Sequence, residues 1–256
     1  MPAKAPAAAL EKPSPDQGSP ATAQQILNEL KPLGSESVKR ILCNNHGVRE
    51  PCFGVKIGDL KKFQKRIKKD YQLALDLYDT GNYDAMYLAG LVADDARMTK
   101  QDLQRWADKA YGGALPGSTV ASVAAGGPHG WEMGLKWIDS SQEKVTEAGW
   151  ATLSGWVAVK DDSALDLTAL KSLIDRVQKT IHTAPDMARY AMNNFIISVA
   201  CYVKPLTDYA RKAVEKIGPV HANLGNNSCE IPFAPDYIKK VEARHPLGKK
   251  RKTMKC

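Results

Sequence analysis

Two groups of cations in this 256-residue chain are placed where they could do chemistry on a polyanion. Between Lys56 and Lys69 there are seven basic side chains and one acid, Asp59, and between Lys249 and Lys255 there are five and no acid. The formal net charge is +8, so the rest of the chain is mildly acidic. Charge kept only for solubility would be spread more evenly. Concentrated cations on an acidic background suit phosphate binding, because each Lys or Arg that neutralises a phosphate releases condensed counterions. Lys61, Lys62, Lys65, Arg66, Lys68 and Lys69, with Lys249, Lys250, Arg251 and Lys252, are therefore the candidate phosphate contacts. The competing reading of such a run is a solvated helix face. Six like charges without an interleaved acid repel one another when nothing is bound, which favours the phosphate reading.

Other reactive groupings are weaker. Cys43, His46 and Cys52 have a loosely metal-like spacing but lack a fourth ligand, so no metal is expected. The five cysteines are an odd, scattered set without a CxxC, which points to reduced thiols rather than a disulfide framework. Gly112-Gly113 and Gly126-Gly127 follow helical patterns and lack the Lys-Ser/Thr of a phosphate-cradling loop, so neither a nucleotide nor any other cofactor is expected. There is no apolar run long enough to cross a bilayer and no signal-peptide pattern, which excludes a membrane partner and predicts a cytoplasmic protein.

The elements that must carry these residues read as helical almost throughout. Residues 1–23 are Pro- and Ala-rich without apolar periodicity and are expected to be a disordered leader. From residue 24 to 245, apolar residues recur three and four apart, and the breaks fall at Gly, Pro, Asn and Asp. The pattern predicts helices near 24–31, 35–45, 57–69, 71–80, 83–94, 99–111, 117–125, 129–139, 142–159, 166–182, 185–203, 205–217 and 235–243. Residues 246–256 read as a basic tail. Many short helices with short joints predict an all-α fold, a curved solenoid of antiparallel HEAT-like helix pairs, although no strict repeat period is visible. An irregular helical bundle is the competing architecture.

Residues 46–94, HGVREPCFGVKIGDLKKFQKRIKKDYQLALDLYDTGNYDAMYLAGLVAD, resemble the start of the DNA alkylation repair (AlkD-like) family. KWIDSSQEKVTEAGWATLSGWVAV, RYAMNNFIISVACYV and GPVHANLGNNSCEIPFAPDYIKKVE resemble its later repeats, so the similarity runs from about residue 35 to 255. The resemblance implies a basic concave face that holds DNA and, in active members, hydrolysis of the glycosidic bond of cationic alkylated purines. That chemistry uses a carboxylate flanked by aromatic faces to stabilise an oxocarbenium ion and position water.

Here this chain departs from the family. The stretch matching the Asp-bearing helix, PGSTVASVAAGG at 116–127, contains no acid, and the position of a second cleft tryptophan is taken by Asn193, Asn194 and Phe195. Trp106, Trp131, Trp150, Trp156, Asn193 and Asn194 remain as cleft candidates, with Trp137 also nearby and Glu132, Asp139, Asp161 and Asp162 as the nearby acids, but the catalytic residues stay unassigned. Trp150 and Trp156, six residues apart on one helix, are about 120° apart around it and are expected to split between core and groove. Three functions follow: a monomer that binds double-stranded or damaged DNA without the family's catalytic residues, an active alkylpurine glycosylase with a relocated carboxylate, and a protein-interaction scaffold. Little sequence preference is expected, since nothing resembles a base-reading recognition helix.

Overall fold

The computed structural model describes residues 21–226 and 230–255. The rest of the expected leader, residues 1–20, lies outside the described residues. Thirteen α-helices are found there: α1 (Ala23–Leu30), α2 (Glu36–His46), α3 (Ile57–Ile67), α4 (Tyr71–Asp79), α5 (Tyr83–Val92), α6 (Lys100–Lys109), α7 (Ala121–Gly126), α8 (Gly130–Trp137), α9 (Glu143–Val159), α10 (Leu167–Thr180), α11 (Asp186–Tyr202), α12 (Thr207–Ile217) and α13 (Ala234–Glu242). These match the predicted helices within a few residues at most ends. The start of α1 is fixed by a reciprocal cap: the Thr22 hydroxyl accepts from the Gln25 amide while the Gln25 side chain accepts from the Thr22 amide. Residues 21–23 therefore belong to the folded domain and not to a leader.

The helix predicted at 117–125 divides in two. Leu115–Val120 forms a π-type turn, in which the Thr119 amide donates to Ala114 O five residues back, and a regular helix resumes at Ala121. Pro116 sits in the first turn of this element, where its missing amide hydrogen leaves no intrahelical bond unmade, so it is compatible with the start.

The helices stack in two rows. The inner row runs α3, α5, the π-type turn with α7, α9, α11 and α13, each packed on the next. The outer helices α4, α6, α8, α10 and α12 pack behind it. This is the expected stack of antiparallel pairs. Two apolar cores, one in each half, meet along α9: Val145 and Ala148 belong to the first, Trp150, Leu153 and Val157 to the second. α9 can be enclosed on several sides because its small residues let neighbours come close. A Cβ on Gly149 would lie 2.7 Å from the Ile138 backbone nitrogen.

Asp84, in the first turn of α5, ties down the loop before α3. It is 1% exposed, and its carboxylate accepts the amides of Phe53 at 2.7 Å, Gly54 at 3.2 Å and Val55 at 2.8 Å. The FGV and DAMYLAGL segments are thus two halves of one latch. It seats Val55 in the core and sets the start of α3.

The C-terminal segment departs from expectation. Residues 246–255 form a strap, and those from Gly248 onward cross the C-terminal ends of three inner helices. The Gly248 amide donates to Cys201 O at the end of α11, and the Arg251 amide to Ala158 O at the end of α9. Lys250 Nζ donates to Val157 O at 2.9 Å, and Lys255 Nζ to Ala93 O, just past α5, at 2.6 Å. The last carbonyls of a helix have no intrahelical partner and carry the negative end of its dipole. A basic strap therefore fits along this edge, where a free tail of like charges would not settle on itself.

Candidate nucleic-acid interface

The open side of the inner row is built from residues three and four apart. Glu147, Ala151, Ser154 and Ala158 of α9 face Met187, Tyr190, Asn194 and Ser198 of α11 across a cavity of about 470 Å³. Gly113, Ala114, Gly117 and Ser118 close one end, Tyr237 of α13 the other, and Arg251 and Met254 of the strap edge the opening. The small residues on α9 make the floor. Ser154 and Ser198 bridge the two helices through their hydroxyls at 2.7 Å.

Glu147 is the one acid among the described residues lining this cavity. It is 6% exposed, and burial pushes its carboxyl up to about 8, with Glu143 adding to the rise and Lys144 opposing it. Gly117 makes room for it: a Cβ there would stand 2.7 Å from Glu147 Oε1. A carboxyl whose pKa is raised on folding contributes stability that is fully present below the unfolded-state value, near 4.5, and is lost as pH rises through about 8. Glu147→Gln, which carries no charge to lose, is therefore expected to stabilise the fold at pH 9 by about 3–5 kcal/mol and to change little at pH 4. Thermal denaturation at the two pH values reads this directly, and an equal shift at both would contradict it.

The six candidate cations on and just after α3 do not form one uniform surface. Lys62 pairs with Asp59 at 2.8 Å, Arg66 with Glu29 of α1 at 2.7 Å, and Lys69 with Asp94 at 3.7 Å. Arg66 also lies over the Phe63 ring. Lys61, Lys65 and Lys68 have no ion-pair partner among the described residues. At 100° per residue, Lys61 shares the flank of Gln64, whose side chain reaches Leu91 O at the open side of α5, while Lys68 caps the end of the helix with a left-handed backbone (φ 65°). Lys62 and Arg66 lie on the other flank, toward α1. In the strap, Lys250 is taken up by Asp162 at 2.7 Å and Lys255 by Asp95 at 2.6 Å, whereas Lys249, Arg251 and Lys252 are exposed.

Of the cleft candidates, only Asn194 lines the cavity. Trp106 is fully buried in a parallel stack on Tyr78, with ring centroids 4.1 Å apart. Trp150 is buried against Phe195 of α11, so Trp150 and Trp106 are core residues. Trp131 and Trp156 are partly buried against the second core, and neither lines the cavity. Asn193 is 1% exposed and its amide holds Pro232 O at 3.0 Å, anchoring the segment before α13. The acids near the expected cleft are engaged elsewhere: Glu132 with Lys100, Asp139 with Arg176 and Asp162 with Lys250, while Asp161 is exposed. Sequence reasoning missed Glu147, Tyr190 and the strap. The signal for the first was one acid within the small, apolar open stripe of α9.

Among the described residues there is no cluster of three or more His, Cys, Asp or Glu able to hold a metal, and no helix long and apolar enough to cross a membrane.

The sequence model of the DNA alkylation repair enzyme family matches residues 26–237. Two uncharacterized proteins, one from Listeria innocua and one from Listeria monocytogenes, are 31% identical over 229 residues, covering 87% of this chain and 98% of each relative. A solved structure aligns with a TM-score of 0.84 and 35% identity over 92% of this chain and all of the other. It represents a new family of proteins related to the HEAT-like repeat DNA glycosylases with affinity for branched DNA structures.

Proposed function

We infer that this chain, which belongs to the DNA alkylation repair enzyme family, binds DNA along the open side of its inner helical row, favours branched or distorted duplex, and does not excise bases. The observation that carries the reading is the likeness to a protein with affinity for branched DNA, which extends over 92% of this chain at 35% identity. Lys61 and Lys65 on α3, Lys68 at its C-terminal cap, and Lys249, Arg251 and Lys252 on the strap supply cations without acid partners among the described residues, as phosphate contacts require. Free thiols at Cys43, Cys52 and Cys201 fit a cytoplasmic setting.

The second reading, a glycosylase with a relocated carboxylate, is favoured by Glu147 beside Tyr190 in the cavity. Its weakness is electrostatic. A carboxyl pushed up to about 8 is mostly neutral at pH 7 and offers little negative charge to an oxocarbenium ion. Among the described residues, no tryptophan lines the cavity. Incubating the purified chain with alkylated duplex is expected to release 7-methylguanine and 3-methyladenine no faster than they depart spontaneously. Release above that rate, abolished in Glu147→Gln, would establish the glycosylase reading instead.

A further inference from the structure

We propose that the cavity between the π-type turn, α9 and α11 is a subsite for one unpaired nucleotide of a DNA strand, with the base toward Glu147 and Asn194 and the phosphate toward Arg251. The inference rests on the DNA-binding reading above and names what that surface would select. A volume of about 470 Å³ is within the usual range of small-ligand pockets. Its two ends differ in chemistry. At the inner end, Glu147 is more than nine-tenths buried, lines the cavity and has no hydrogen-bond partner among the described residues. Its carboxyl opens on the cavity, where a bound ligand can pair with it. At the rim, Arg251 is exposed beside Tyr202 and brings a guanidinium suited to phosphate.

Between the two ends, Tyr190 and Asn194 stand one turn apart on α11, and Tyr237 closes the far side. An aromatic face together with an amide is the usual means of gripping an unstacked base. The protonated Glu147 carboxyl would offer one donor and one acceptor side by side, complementary to the Watson–Crick edge of adenine or cytosine. Paired duplex cannot present such an edge, because its bases are already engaged. Branch points and bulges can, so the subsite provides a physical reason for preferring distorted DNA over linear duplex.

The test uses the full chain and a duplex bearing one unpaired 2-aminopurine, with the same duplex fully paired as reference. Wild type is expected to bind the bulged duplex at least about fivefold tighter than the paired one, the least that one stacked base contributes. It should also shield the bulged base from quenching by acrylamide. Glu147→Gln, which keeps one donor and one acceptor, should retain the shielding. Glu147→Leu, shown by its melting curve to be folded, should lose it. If the bound probe is quenched as readily as in free DNA, or if Glu147→Leu shields it as well as wild type does, the subsite is overturned while DNA binding stands. If neither duplex is bound, the DNA-binding reading falls as well.

Discussion

Asp84→Ala is expected to destabilise the protein by about 3–6 kcal/mol, because it leaves buried amides without an acceptor, each worth roughly 1–3 kcal/mol. The affected donors are Phe53, Gly54 and Val55, all held by one carboxylate. For a domain of this size each kcal/mol lowers the melting temperature by about 2–4 °C, so a drop of roughly 10–20 °C should appear in thermal denaturation. Asp84→Asn should lie between alanine and wild type, since the amide side chain keeps one acceptor but loses the charge. A drop of only a few degrees for Asp84→Ala would mean that water replaces the carboxylate and that the latch does not hold the loop. The effect should reach function as well, since this loop sets the start of the helix that carries Lys61 and Lys65 and ends at Lys68.

Those three lysines are the subject of the second large effect. Each phosphate contact contributes about 0.9 to the slope of log K against log salt. Replacing Lys61, Lys65 and Lys68 together by Gln should therefore lower the slope for linear duplex by about 2–3 and weaken binding about 10²-fold near 0.15 M salt. The matched control is Lys62→Gln with Arg66→Gln. These two cations are already paired with Asp59 and Glu29 on the opposite flank, and their loss should change the slope by less than 1. Titrations over a range of salt concentrations separate the cases. An equal slope change in both variants would place the DNA elsewhere on the molecule.

Much of the fold could be read from the sequence because helix periodicity and caps are local signals. The stripe Leu60, Phe63 and Ile67 marks the inner face of α3, and Asn82, whose side chain accepts from the Asp84 and Ala85 amides, marks the start of α5. Two features could not be read because they depend on contacts distant in sequence. The strap reads as a repelling basic tail until the carbonyl ends of α5, α9 and α11 lie side by side beneath it. The cavity has the same origin: Glu147 and Tyr190 are 43 positions apart and line one cavity only because α9 and α11 pack together. The tryptophans misled for a related reason. The family resemblance implies aromatic faces in a cleft, but Trp106 and Trp150 are the large apolar groups that fill the two halves of the core.

If charge on this family member holds DNA, distortion of the duplex should add to the binding. It is tested most directly by measuring binding of the purified chain to a four-way junction and to a linear duplex of the same sequence across a series of salt concentrations. Binding to the junction is expected to be tighter at every salt concentration, with log K falling linearly with log salt for both. Equal affinity for the two, or binding that does not respond to salt, would contradict it.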